Sequence, residues 1–409
     1  MSHALPDVGI DDLHLYAGSL AVDAATIVAG RGNPADEVAR LKLQRRSLAP
    51  QFEDPVTLAV NAAKPVVASN DPRPIELLIV ATESPVDDGK PLSSYVHHYL
   101  DLGHRCRNVE VKHACYAGTA SLRLASSWVA TNPEKRALVV MADMARKLFG
   151  DPAEPAEGAG SIALSVAADP RVLRLEPKAG YAAREVYDVT RPTPTLERIN
   201  SGLSLGAYLD LLEIALGDYR KENAVDRIQD HCAAICYHTP LVPLVEQAHQ
   251  IVVESDDEFP EDDVVAASWQ RLVAPSLAYC QQMGNLYGGC LYAALAGRID
   301  AEPALAAGDR IGLYSYGSGS CAEFFSGIVG AEARAVVGRH GLANQLADRT
   351  PIDFAQYEGE VLAMEQSLTE PDFDPNAEAI PGLFAARYTG SGRLVLDSVR
   401  DYYRQYRFA

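Results

Sequence analysis

The continuous apolar run Ile75 to Thr82 (IELLIVAT), closed by Glu83, constrains the fold more than any other feature of the chain. A strand that is apolar at nearly every position has no solvent face, so it must lie in a sheet covered on both sides. Arg136 to Ala142 (RALVVMA) is a second such run. Ala233 to Tyr237 (AAICY) is a third and ends in His238, and Arg310 to Tyr316 (RIGLYSY) is a fourth, running into Gly317-Ser318-Gly319-Ser320. Helical stretches alternate with these runs, as in LVPLVEQAHQIVV after Thr239-Pro240. The alternation predicts an α/β protein built in layers. Two halves can be made out, residues 1–172 and 173–409, each with a reactive residue at a strand-to-helix junction. In open α/β sheets that edge is where ligands sit.

The chain has 409 residues, 48% of them hydrophobic, which is enough for a large core. Its formal net charge of −19 disfavours nucleic acid as a partner. The longest uncharged run, Leu272 to Gly297, holds a proline and four glycines, so it belongs in a packed interior and not in a membrane. Seven cysteines do not form a framework of pairs, and no signal-like segment opens the sequence. Free thiols and a cytoplasmic location are therefore expected. Leu41 to Arg46 (LKLQRR) is the densest basic stretch, either a phosphate-binding patch of Lys42, Arg45 and Arg46 or an exposed helix face. Glu254 to Asp263 reads as a solvated loop. Leu383 to Leu396, around Gly390-Ser391-Gly392, reads as a hairpin.

Cys115 sits where VEVKHAC gives way to LRLASSWVA. A thiol at the first turn of a helix feels unpaired N–H groups that favour thiolate, although free cysteine is often an inert core residue. His238, at a strand tip, is either a core histidine or a donor to a substrate carbonyl. Glu83, at the lip of an apolar strand, is either a surface carboxylate or a desolvated general base. His231, Cys232, Cys236 and His238 share one apolar segment whose side chains alternate faces, so no metal site is expected. The GxG of Gly317 and Gly319 is a weak dinucleotide signal; such a turn equally lets a thioester approach backbone N–H groups.

Glu83, Cys115 and His238 each lie in a distinctive string: IVATES, KHACYAGTA and AAICYHTP. With EPAEGAGSIAL from Glu154, VYDVTRP from Val186, GNLYGGCLY from Gly284 and LYSYGSGSCAEFFSG from Leu313, the chain resembles 3-hydroxy-3-methylglutaryl-CoA synthases of the thiolase superfamily. The resemblance implies a thiolase-like fold, two similar halves stacked as αβαβα, and a homodimer. It implies that Cys115 carries an acetyl group, that Glu83 moves its protons, and that His238 binds the acceptor's carbonyl. Asn285, Ser318, Gly317 and Gly319 would line the pocket and supply polarising donors. No resident cofactor is implied; acetyl arrives on phosphopantetheine of a carrier protein or CoA.

KHACYAGTA, SSYVHHYLDLG and the terminal DYYRQYRFA are similar to the subgroup serving polyketide assembly lines, and Lys147 stands where primary-metabolism members carry tyrosine. That subgroup implies acyl carrier proteins as acetyl donor and β-keto acceptor, met by Lys42, Arg45 and Arg46. The alternative is a mevalonate-pathway synthase using acetyl-CoA and acetoacetyl-CoA. Glu83 argues against a decarboxylating ketosynthase, which makes its enolate without a base.

Overall fold

The structure is a computed structural model that describes residues 6–69, 71–146 and 148–409; Lys147 lies outside the described residues. From the first half come strands β1 (Val8–Tyr16), β2 (Ile75–Ala81), β3 (Arg107–Val111), β4 (Arg136–Met144) and β5 (Ala159–Ala168). From the second come β6 (Leu173–Leu175), β7 (Gly180–Ala183), β8 (Ala234–Tyr237), β9 (Arg310–Gly317) and β10 (Cys321–Val329). Among the described residues these strands form one ten-stranded sheet, in the order β8-β9-β10-β6-β1-β5-β4-β2-β3, with β7 on β10. The short β6 links the halves: Leu173 pairs with Ile10 of β1 and with Val329 of β10.

In each half the outer strands are parallel, β2 with β3 and β4, and β8 with β9. Their C-terminal ends therefore open onto loops at one edge, and those loops carry Glu83, Cys115, His238 and Ser318.

Side chains alternate across a strand, and the alternation builds the layers. Ile79 and Ala81 of β2 enter a central core, whereas Leu78 and Val80 enter an outer one. Ala234 and Cys236 of β8 enter the same central core, whereas Ile235 and Tyr237 enter a second outer one. Helix α1 (Pro55–Val67) covers the outer face of the first half and α2 (Ala117–Ala130) its inner face. Helices α3 (Ser201–Asn223) and α4 (Val242–Asp256) cover the outer face of the second half, and α5 (Cys290–Asp300) its inner face. The architecture is αβαβα. Each fully buried Leu, Ile or Val in these cores contributes about 1.5–3 kcal/mol.

Helix α5 is buried from Cys290 through Ile299. A helix apolar all round has only an interior to occupy, which explains the long uncharged run. Helix α1 starts where Asp54 caps it: its Oδ1 accepts from the Thr57 N–H at 3.0 Å while Thr57 Oγ1 accepts from the Asp54 N–H at 2.8 Å.

Two sequence expectations are corrected. Leu383–Arg387 is a helix, and the hairpin lies later, Leu394–Arg400 against Tyr403–Phe408. Its turn residues Asp401 and Tyr402 have φ of 49° and 66°. This hairpin packs on the first half, where the Asn61 side chain clamps the N–H and C=O of Leu394 at 2.8 and 3.1 Å. The acidic stretch is only partly loop: α4 runs through Asp256, whose buried carboxylate accepts from the N–H groups of Ile228 and Gln229 at 2.9 and 2.8 Å.

Candidate active site

The ends of β2 and β3 lie side by side, with Ala81 paired to Val111. Glu83 and Cys115 follow shortly after, and the Cys115 thiol donates to Glu83 Oε1 at 3.4 Å. Asp143 on β4 fixes the Glu83 turn. Its Oδ1 accepts from the Glu83 N–H at 2.8 Å, from Ser84 Oγ at 2.6 Å and from Thr82 Oγ1 at 3.0 Å. From the other side, Arg191 donates to the Glu83 carbonyl and, at 2.9 Å, to the Glu197 carboxylate.

Burial pushes the Glu83 carboxyl up to about 8; Arg191 opposes that rise, and Asp143 and Glu197 add to it. A carboxyl with that value is poised to take and return protons near neutral pH. The thiol departs from the thiolate expected of a helix N-terminus. Cys115 precedes helix α2, and burial first, then the charge of Glu83, raise its pKa well above the ordinary thiol range. Desolvation and the neighbouring carboxylate outweigh the helix dipole, whose reach is one turn. Ala114, just before the cysteine, has φ of 41°, a conformation sparsely used by residues with a Cβ.

His238 follows β8. Its backbone N–H donates to the Tyr314 carbonyl at 2.7 Å, and its carbonyl accepts from the Tyr208 hydroxyl at 2.8 Å. The ring is buried, its Nδ1 has no hydrogen-bond partner among the described residues, and burial lowers its pKa to about 3. It is a neutral imidazole, able to donate one hydrogen bond and unable to serve as a strong acid at neutral pH.

Glu83, Cys115, His238, Asn285 and Ser318 all line one cavity of about 330 Å³, whose walls include Ile199, Leu205, Leu241 and Leu244. Asn285 is already engaged: Nδ2 donates to Glu157 at 3.2 Å and Oδ1 accepts from the Tyr287 N–H at 2.9 Å. Gly317 and Gly319 are not among the lining residues. A Cβ on Gly317 would lie 2.4 Å from the Tyr116 nitrogen, so this glycine lets β9 press against the turn that carries the cysteine. The Gly319 N–H donates to Asp188 Oδ1 at 3.1 Å, which removes it as an oxyanion donor.

The basic patch is corrected. Arg45–Leu48 is a strand, so neighbouring side chains point to opposite sides. Arg46 is buried and donates to the Glu154 carbonyl at 2.5 Å and the Tyr357 hydroxyl at 2.7 Å, so it meets no outside partner. Arg45 stays exposed beside Asp23 at 3.1 Å, and Lys42 pairs with Glu246 at 2.5 Å.

Several residues of the site carried no assigned role in the sequence reading. Glu157 lies within EPAEGAGSIAL and Arg191 within VYDVTRP, so their strings were legible but their roles were not. Glu157 lines the cavity, and burial raises its carboxyl to about 7. Asp143 ends a buried run, a position that flags it. Glu197 has no sequence signal. Cys232 and Cys236 pack into different cores, on opposite sides of β8.

Residues 5–170 match the family model described as hydroxymethylglutaryl-coenzyme A synthase N terminal, and residues 258–407 match its C terminal counterpart. The chain belongs to this family. As a hydroxymethylglutaryl synthase-type enzyme it has the thiolase-like fold seen above. It is 34% identical to the polyketide biosynthesis 3-hydroxy-3-methylglutaryl-ACP synthase PksG of Bacillus subtilis, over 98% of this chain and 99% of that one. It is 31% identical to the hydroxymethylglutaryl-CoA synthase of Enterococcus faecalis, over 91% and 94%. Among solved structures, the curacin biosynthetic pathway HMG synthase in complex with holo donor-ACP aligns with a TM-score of 0.94 at 33% identity, covering 98% of this chain and 100% of that one. MvaS in complex with 3-hydroxy-3-methylglutaryl coenzyme A aligns at 0.88 and 31% identity, covering 99% of each. Among the described residues no helix is long and apolar enough to cross a membrane.

Proposed function

We propose that this synthase loads acetyl on Cys115 and adds it to a β-keto thioester on an acyl carrier protein, giving the β-branched, HMG-like intermediate of polyketide assembly. The observation that carries the reading is the thiol of Cys115 within hydrogen-bond reach of a carboxyl whose pKa lies near 8. The likeness to a polyketide HMG-ACP synthase over nearly the full length of both chains favours carrier-bound substrates.

The contact between Cys115 and Glu83 and the cavity they share with His238 support the following steps. As sulfur attacks the donor thioester, the thiol proton passes to Glu83 and then to the departing phosphopantetheine sulfur. Glu83, ionised again, removes a proton from the acetyl methyl. The resulting enolate attacks the β-carbonyl of the acceptor, held by a hydrogen bond from His238. The alkoxide takes the proton back from Glu83, and water then cleaves the Cys115 thioester to a carboxylate and a free thiol. Thiol, carboxyl and imidazole complete this chemistry, so the enzyme needs no resident metal or cofactor.

Among the described residues β3 ends the sheet, and Val109 on it is exposed, which supports a homodimer built across that edge. Free cysteines throughout the described residues fit the reducing cytoplasm.

The test compares acetylation of Cys115 by acetyl carrier protein and by acetyl-CoA at matched concentrations. Faster loading from the carrier supports the polyketide role. Loading from CoA alone, with acetoacetyl-CoA as a good acceptor, would return the enzyme to mevalonate metabolism.

A further inference from the structure

We propose that Arg191 and Glu197 are positioning residues that hold Glu83 against the acyl group on Cys115. The inference rests on the reading just given, in which Glu83 moves the protons.

Glu83 lies just beyond a strand end, where no ladder fixes its backbone. Asp143 supplies one anchor, through the Glu83 N–H. Arg191 supplies the opposite one, through the Glu83 carbonyl. The far side of the guanidinium is bound by Glu197 Oε2 at 2.9 Å, so the arginine is itself braced. Both side chains come from the second half of the chain, from a segment in which Val189–Thr190 pairs with Arg198–Ile199. The acid-base residue of one half is thus aimed by a strut from the other, across the cavity that both halves line.

A purely structural role accounts poorly for this pair. The side chains are 15% and 2% exposed, and a buried ion pair stabilises a fold less than apolar residues of the same volume would. Glu197 also lines the cavity, a position of use to the reaction and of none to the core. The groups facing Glu83 are Asp143 from β4, Cys115 from the turn before α2, Tyr287 from the turn before α5, and Arg191 with Glu197. Among them Arg191 favours the ionised carboxyl, whereas Asp143 and Glu197 disfavour it. The two members of the strut therefore act on Glu83 in opposite electrostatic senses, and that opposition gives a signature that loss of packing does not.

The test uses the full-length protein with Arg191→Gln, Arg191→Lys and Glu197→Gln, each checked by its melting temperature. Two quantities are read: acetyl occupancy of Cys115 at the end point, by intact mass, and turnover with a β-keto thioester across pH. The expected result for Arg191→Gln is normal occupancy, turnover reduced roughly tenfold, and an acid limb moved to higher pH. Glu197→Gln moves that limb to lower pH, and Arg191→Lys, which keeps the charge, stays near the wild-type limb even if Arg191→Gln unfolds. Limbs that stay put or move together, or occupancy and turnover that fall in parallel, would overturn the proposal. A wild-type enzyme that takes no acetyl on Cys115 fails at the earlier reading and takes this one with it.

Discussion

The Cys115 sulfur lies 3.4 Å from Glu83 Oε1, and that contact joins loops leaving two neighbouring parallel strands. Sheet register brings the proposed nucleophile and base together, and the bonds of Asp143 and Arg191 to the Glu83 backbone hold the base there, which is the precision that proton transfer within one bound acyl group requires.

Proton removal needs Glu83 ionised, and its carboxyl is pushed up to about 8. Turnover should therefore rise with pH through about 8 and level off above it. A kcat/KM profile from about pH 6 to about pH 10 measures this. A profile already flat at pH 6 contradicts the assignment.

Gly317→Ala would place a Cβ 2.4 Å from the Tyr116 nitrogen and 2.8 Å from the His113 carbonyl oxygen. Backbone cannot yield as a side chain does, so the turn bearing Cys115 must shift. We expect a loss of about 1–3 kcal/mol in stability and roughly a tenfold drop in the rate of Cys115 acetylation. Denaturant unfolding and a time course of acetyl incorporation read the two effects separately.

Charge reversal separates the two neighbouring arginines. Arg46→Glu buries a carboxylate beside the Glu154 carbonyl and should cost several kcal/mol, visible as a collapse in melting temperature. Arg45→Glu exchanges an exposed charge and should change stability by less than about 1 kcal/mol. Any loss of carrier-dependent acetylation in a folded variant then belongs to Arg45.

Glu360, remote from the cavity lining, is buried and raised from 4.5 to about 7. The folded state thus holds a proton that the unfolded chain releases. Its contribution to stability is full below about 4.5 and is lost as pH rises through about 7. Glu360→Gln, which mimics the protonated acid, should flatten the decline in melting temperature across that window. An unchanged slope would mean the carboxyl ionises normally.

The sequence made Glu83, Cys115 and His238 visible because each is a reactive residue closing an apolar or strand-like run, and such runs have few places to go. Arg191 and Glu197 sit on an irregular excursion whose path depends on distant packing, so no periodicity pointed to their contact with Glu83. Arg45 and Arg46 read as one basic patch, yet a strand sends them to opposite sides. The thiol's pKa lies above the range a helix N-terminus predicts, because the helix terminus is written in the sequence while the depth of burial and the adjacent carboxylate are not. The terminal hairpin lies later than its sequence signal, because Gly390-Ser391-Gly392 has the composition of a turn, whereas the hairpin's turn at Asp401 and Tyr402 contains no glycine.

The central claim is that one carboxyl moves the protons of an acetyl group held on one sulfur. It is tested most directly by incubating Glu83→Gln with acetyl donor and β-keto acceptor and following both Cys115 occupancy and product. Because Glu83 also takes the thiol proton, the account predicts that Cys115 of this variant acetylates more slowly yet reaches full occupancy at the end point, and that no β-hydroxy product forms, while wild type turns over. Product at the wild-type rate from Glu83→Gln, or a wild-type cysteine that never carries acetyl, would contradict it.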